Sequence, residues 1–389
     1  MINKTDNICF MQDKFQRVTD KNSVGNTNVL TISAQHGLIN QFEYYNHQYA
    51  SENTSGYTLL HKGDFAYNKS YSDGYPWGAT KRLERYDSGV VSPLYICFAA
   101  KDGVCADFYS YYFESEPFYR EIYKIAQEGA RNHGLLNVAT EDFFKIRIAN
   151  PQLEEQRRIA EILGCCDRVI ALKKELIAEK KKQKKALMQK LLNPDSGFRL
   201  PVIREKITQV HFNDICRFIN GRAYSQDELL ETGKYRVLRV GNLFTSDTWY
   251  FSNLELPNDK YCQKDDLLYA WSASFGPFIW QGETTIYHYH IWKVEPCEHV
   301  DKMFLYHCLK YDAELLENSI QGGTMSHITK ETMERRLCPF VDNLDLQKNI
   351  ADILSAADKE IDLLEQELAQ QEQKKKSLMQ LLLTGIVRV

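Results

Sequence analysis

Two groups of residues combine aromatic rings, amides and cations in a way that suits contact with nucleic acid. The first is Asn68, Lys69, Tyr71, Trp77, Lys81, Arg82 and Arg85. The second is more dispersed: Arg222, Tyr224, Arg239, Asn242, Trp271 and Ser272, then Ser326 and His327 in the glycine-centred stretch 318–328. Arg and Asn can bond the edges of guanine and adenine in pairs, while Lys and Ser hold phosphates. Any one of these residues could be an ordinary solvated loop position. The recurrence of the mixture in two separate places favours base reading.

Other chemistry lacks its residues. There is no G-x-x-x-x-G-K-[ST] phosphate loop, no G-x-G-x-x-G turn, no H-E-x-x-H helix and no G-x-S-x-G elbow. The Asn/Asp-Pro-Pro-Tyr/Phe tetrapeptide of amino-methyltransferases is absent as well. The ten cysteines form no C-x-x-C and no cluster with zinc-ligand spacing. His288 and His290 fall on one face of an expected strand, without acidic or cysteine neighbours, so packing or surface exposure is expected there and no metal. No catalytic residue and no cofactor bound by this chain is expected. The start of the chain lacks the apolar run of a secretory signal, and no stretch is long and apolar enough to span a membrane, so a cytoplasmic location is expected.

The elements that must position the two groups come from a duplication. Leu153–Leu192 and Leu344–Leu383 align without a gap at an offset of 191 residues, matching Gln156 with Gln347, Asp167 with Asp358 and Leu187-Met188-Gln189 with Leu378-Met379-Gln380. Each should be one long helix of roughly 60 Å, the first stopped at Asn193-Pro194. Ile159, Leu163, Ile170, Ile177, Leu187 and Leu191 in the first copy, and Ile350, Leu354, Ile361, Leu364, Leu368, Leu378 and Leu382 in the second, follow heptad steps. Cys166, Lys173, Lys180, Lys184, Ala357, Gln371 and Lys375 fill the remaining seam positions, so the seam is apolar at its ends and polar in the middle.

Net charge is −4, but it is unevenly spread. Residues 151–199 carry 12 Lys and Arg against 7 Asp and Glu, whereas residues 341–389 carry 6 against 9. Opposite charge favours pairing the two helices with each other as an antiparallel coiled coil. The Lys180–Lys185 run is then a solvated face turned toward acidic residues of the second copy, with Glu365, Glu367 and Glu372 as candidates. A DNA-binding surface must be a local basic patch or one shared with a partner.

The expected fold class is α+β: two mixed α/β globules alternate with two long helices, in a pseudo-twofold internal repeat. The expected boundaries are 1–150, a helix over 151–192, a linker over 193–210, 211–340, and a helix over 341–389. Within the globules, strands are expected at Val29–Ile32, Gly89–Phe98, Lys145–Ile148, Tyr235–Val240 and Thr284–Val294. Helices are expected over Glu116–Glu128 and Lys302–Glu317, and short capped helices at Thr140 and Thr329. His61–Tyr67 echoes Gln263–Tyr269, and Gly134–Thr140 echoes Gly323–Thr329, so the globules are divergent copies.

Pro151–Leu163 (PQLEEQRRIAEIL), Leu187–Leu192 (LMQKLL) and Leu378–Val389 (LMQLLLTGIVRV) resemble the conserved regions of type I restriction–modification specificity subunits. Val29–Leu38, Gly63–Ser70 and Gly89–Tyr95 resemble a target-recognition domain of that family. The second half keeps the GFRLP lead-in (Gly197–Pro201) but lacks the tryptophan often found soon after it, and Val341 stands where the first copy has Pro151. The resemblance implies a non-catalytic subunit for phage defence, whose two recognition globules each read one half of a bipartite double-stranded DNA target. It also implies helices that dock two methyltransferase subunits, with S-adenosylmethionine bound by those partners, and two motor–nuclease subunits completing the complex. The alternatives are a coiled-coil scaffold or adaptor that never reads bases, and a catalytic protein with an unfamiliar site.

Overall fold

The computed structural model of the chain describes residues 8–33, 36–47, 53–70, 75–128, 136–194, 207–272, 274–319 and 328–389. They divide into two compact units, one of residues 1–174 with 367–389 and the other of residues 175–366. Each unit holds one globule together with part of both long helices, which span Leu153–Leu192 and Leu344–Leu383.

In the first unit, strands Phe15–Arg17, Ile96–Ala100, Phe65–Asn68 and Ala79–Arg82 form an antiparallel sheet in that order. Helices Ala106–Tyr112 and Glu116–Ile125 cover it through an aromatic core, in which Phe15 meets the edge of Tyr109 at 5.0 Å. The second unit repeats the plan: Cys216–Asn220, Ile291–Pro296, Leu267–Ser272 and Ser274–Ile279 lie in the equivalent order under the single helix Lys302–Ser319. Tyr67 and Tyr269, matched in the sequence echo, are strand residues of these sheets and both are fully buried. The second unit adds a four-stranded sheet of Tyr250–Ser252, Tyr235–Leu238, Thr285–Tyr287 and Tyr261–Cys262, in which Tyr235–Leu238 runs parallel to Thr285–Tyr287.

Each globule opens on a one-turn helix, Met11–Lys14 or Phe212–Ile215. In both, an aspartate third along accepts the backbone N–H that precedes the helix: Phe10 N to Asp13 at 2.9 Å and His211 N to Asp214 at 3.0 Å. A buried glutamine then locks each globule to the start of its own long helix. Gln156 donates to Pro151 O and accepts from Cys105 N; Gln347 donates to Val341 O and His299 O and accepts from Asp301 N. An amide supplies donor and acceptor together, so one side chain satisfies backbone groups on both elements.

The long helices run antiparallel in both units. In the first, Asp167 pairs with Lys375 at 2.6 Å and Lys173 with Glu367 at 2.6 Å. In the second, Lys180 pairs with Glu360 at 2.6 Å and Lys184 with Asp358. Every heptad position is buried or half-buried. Of the acidic residues expected to face the Lys180–Lys185 run, only Glu365 does, through Lys181. Glu367 and Glu372 pair instead with Lys173 and Lys174, one to two turns earlier, and Glu360 and Asp358 hold Lys180 and Lys184.

Several local expectations change. Gly89–Phe98 is two strands, Ser88–Val91 and Ile96–Ala100, parted by a turn in which Tyr95 N bonds Ser92 O and Pro93 offers no N–H. The helix expected from Glu116 ends at Ile125, and Ala106–Tyr112 forms a further helix before it. Thr140 is the first helical residue, with Ala139 at the cap, whereas Thr329 does cap its helix by accepting from Thr332 N. The strand expected over Lys145–Ile148 is Arg147–Ala149. Tyr235–Val240 ends as a strand at Leu238, and a short helix, Val240–Phe244, follows. Thr284–Val294 breaks at His288–His290, where the chain passes from one sheet to the other.

Candidate nucleic-acid interface

Asn68, Lys69, Trp77, Lys81 and Arg82 sit on the hairpin formed by Phe65–Asn68 and Ala79–Arg82 or on the connection between its strands, and Arg85 follows the second strand. Asn68 accepts from Ser70 N at 3.0 Å, and Lys69 Nζ reaches Val138 O. Leu136 N bonds Lys69 O at 2.9 Å, tying the later chain to the hairpin tip. Trp77 meets Tyr123 edge-on at 4.8 Å, and its carbonyl accepts from the Tyr67 hydroxyl. Gly78 adopts φ +76°, and a Cβ there would lie 2.4 Å from Asn68 O, so this turn requires glycine.

The cations of this group are largely engaged within the globule. Lys81 pairs with Glu114, and Arg82 bonds Glu84 and Asp107, lining a cavity of about 430 Å³ with Arg157 and Arg168 of the long helix. Arg85 is the most exposed of the three, lying over Tyr86 and 3.2 Å from Glu43. Tyr71 lies outside the described residues, as do Ser326 and His327 of the other globule.

In the second globule the equivalent hairpin closes tightly, with Ser272 paired directly to Ser274. Its tip carries Trp271 and buried Ser272, and Ile328 N bonds Trp271 O, the counterpart of the Leu136 tie. Residues that are distant in sequence converge beside it on the His288–His290 crossover. Arg222 N bonds Tyr287 O, and Tyr289 N bonds Arg222 O. The Arg222 guanidinium makes two bonds to Glu228 at 2.6 and 3.0 Å, which hold that carboxyl down at about 2, and it lies over the Tyr224 ring. Tyr224 stacks on His288 at 6.3 Å, and burial raises its phenol pKa. His288 N bonds Leu238 O, which brings Arg239 alongside, its guanidinium over Tyr250.

Trp271 donates its indole N–H to Tyr289 O at 2.8 Å and meets His290 edge-on at 5.1 Å. Asn242 turns its amide to Ser246 O and Thr248 O, and its oxygen caps Arg239 N, so it shapes the turn after the strand. Burial first, then the charges of His290 and Arg239, pushes the His288 imidazole down to about 4. His288 and His290, expected on one face of a strand and set aside for want of acidic or cysteine neighbours, sit instead on the crossover between two strands. The signal passed over was the break in alternation at Tyr287-His288-Tyr289-His290, four consecutive polar rings.

The arrangement offers rings, amides and guanidinium groups on rigid backbone, and among the described residues no cluster of metal ligands accompanies it. Residues 204–373 match the type I restriction modification DNA specificity domain. The chain is 26% identical over 325 residues to the type I restriction enzyme MjaVIII specificity subunit of Methanocaldococcus jannaschii, covering 77% of this chain and 75% of that one. It is 28% identical over 292 residues to the putative MjaX specificity subunit of the same organism, covering 69% and 65%.

The type I restriction–modification S subunit from M. genitalium shares the fold, with TM-score 0.56 at 17% identity over 98% of both chains. So does a chain from a structural study of complex assembly and conformational transition in a type I R-M system, with TM-score 0.63 at 15% identity over 97% and 96%. Residues 204–373 thus match the type I specificity domain, and the chain is similar in sequence and fold to type I specificity subunits.

Proposed function

We propose that the globules of residues 1–150 and 211–340 each read one half of a bipartite DNA target, while the two long helices set the spacing between half-sites. The carrying observation is that one hairpin is kept in both globules with different tips. The first tip extends into a connection bearing Lys69 and Trp77, and the second closes at Ser272 beside the His288 crossover. A common frame with dissimilar tips suits two different base sequences. A fixed spacer discriminates among gap lengths because a misfit must be met by deforming DNA.

The helices dock two methyltransferase subunits, which bind S-adenosylmethionine and methylate adenine N6, one on each half-site. Two motor–nuclease subunits complete the restriction complex. Support for paired docking comes from exposed positions that the seam does not use. Arg157, Glu161, Arg168 and Leu172 are matched at the 191-residue offset by Lys348, Asp352, Lys359 and Leu363. Both leucines face solvent, Leu172 at 64% and Leu363 at 51% exposure. The same charge order and the same exposed leucine on both halves fit two copies of one partner.

The test is methylation mapping in cells that carry the chain with its methyltransferase partner. One bipartite motif is expected, and exchanging residues 1–150 for those of another specificity subunit should change only one half. A motif unchanged in both halves would overturn the reading. Binding by the reconstituted complex should also weaken steeply with salt.

A further inference from the structure

The crossover at the centre of the second globule's cluster is built as a fixed mount. Backbone bonds hold it on three sides: His288 N to Leu238 O at 2.9 Å, Tyr289 N to Arg222 O at 3.0 Å, and Trp271 N to His290 O at 3.1 Å. The Trp271 indole adds a fourth hold on Tyr289 O. Gly221 permits this closeness, since a Cβ there would lie 2.4 Å from His288 O and 2.5 Å from Tyr287 O. On this mount His288 and His290 are half-buried, and Tyr289 stands out at 39% exposure.

We infer that Tyr289, flanked by His288 and His290, is the base-reading element of the second globule, an inference that rests on this globule taking one half-site. A tyrosine on clamped backbone has only two torsions left to order, so it brings a flat ring and a hydroxyl to a groove at small entropic cost. A neutral imidazole offers one donor and one acceptor, whereas the protonated ring offers donors alone. An acceptor is what the amino edges of adenine and cytosine require. His288, held neutral by its surroundings, supplies one. Arg222 is bound to Glu228 and shapes the mount, which leaves direct readout to the three rings above it.

The experiment uses the complex reconstituted with its methyltransferase partner, carrying Tyr289→Ala or Tyr289→Phe. Methylation mapping should show relaxation at one or more base pairs of the second half-site with the first half-site kept. Affinity for the mapped site should fall about 10- to 100-fold for Tyr289→Ala at fixed salt, with non-specific DNA binding unchanged. If the alanine variant loses both half-sites through misfolding, the phenylalanine variant decides alone. A full motif and unchanged affinity in every folded variant overturn the inference. If exchanging residues 1–150 still moves the first half-site, that failure leaves the bipartite reading standing; if the exchange moves neither half, the reading itself fails.

Discussion

Asp167 and Asp358 occupy the same position in the two repeats, and replacing each with asparagine should have unequal effects. Asp358 neutralises two cations, Lys184 and Lys310, and the Lys184 side chain is only 8% exposed. Asp167 meets Lys375 and the Tyr111 hydroxyl, and its own side chain is 43% exposed. Removing one partner of a buried pair costs about 3–5 kcal/mol. With a quarter of Asp358 and a third of Lys310 in solvent, the lower end applies, so Asp358→Asn should cost about 3 kcal/mol. Asp167→Asn breaks a half-exposed pair and a bond to a neutral hydroxyl, and should cost about 1 kcal/mol.

Hydrogen exchange along helix segments near 184 and 358, compared with those near 167 and 375, reads each site separately, which a global melt of a two-part protein does not. The pH dependence supplies a second check. Burial pushes the Lys184 ammonium down to about 8, and the hydrogen bond it donates to Asp358 works against that fall. Without the carboxylate the ammonium falls further. A lysine depressed in the folded state lowers stability at pH values where it must stay charged. That cost is relieved as pH rises from the folded pKa toward the unfolded value of about 10.4. The penalty of Asp358→Asn should therefore shrink as pH rises toward about 8, where Lys184 of the unaltered protein also loses its proton, and stay constant above that. Equal costs at the two sites, or a larger cost at Asp167, would refute the reasoning.

The buried glutamines should rank by their bonds: Gln347→Leu strands three backbone groups and should cost about 3 kcal/mol, Gln156→Leu two groups and about 2 kcal/mol, read by exchange at the helix starts. Ile361→Asp puts a charge into a buried seam position and should cost several kcal/mol, with Ile170→Asp, half-buried, costing less. If assembly with the methyltransferase partner and the unfolding midpoint survive both, the seam account is wrong. Gly221→Ala forces the backbone away from two carbonyl oxygens. It should cost about 2 kcal/mol and broaden only the second half-site in a methylation map.

The helices were legible in the sequence because their pattern is local and periodic, and because the second copy independently repeated it. The charge difference pointed to the right helix: Glu365, Glu367 and Glu372 all bridge to lysines of the first helix, though only Glu365 meets the Lys180–Lys185 run for which they were expected. The globules were less legible for a physical reason. Thr284–Val294 has strand-like composition throughout, yet its halves enter different sheets, and only the run of four rings at Tyr287–His290 interrupts its alternation. Arg222, Arg239 and Trp271 could be listed as chemically apt, but their meeting at His288–His290 depends on pairings such as Leu238 with Tyr287, 49 residues apart in the numbering. In the first globule the sequence could not reveal that Glu114, Glu84 and Asp107 would occupy Lys81 and Arg82.

The two halves of the coiled coil separate the choice of register from the choice of partner. Asp167 with Lys375, and Asp358 with Lys184, are one contact seen twice, since each helix carries both the aspartate and the lysine at matching positions. That contact would survive if a helix paired with a second copy of itself, so it fixes alignment without selecting the mate. The bridges Lys174–Glu372 at 2.8 Å and Lys181–Glu365 at 2.7 Å are also one contact seen twice, but here the first helix has only lysines and the second only glutamates. Pairing two first helices in the same register would set Lys174 against Lys181, and pairing two second helices would set Glu365 against Glu372. Each such pairing loses two attractions and gains two repulsions, together about 2 kcal/mol at roughly 0.5 kcal/mol per exposed pair. The duplicated seam thus keeps an alignment that any pair of these helices could share, and the charges beside it reserve that seam for the other helix of the same chain.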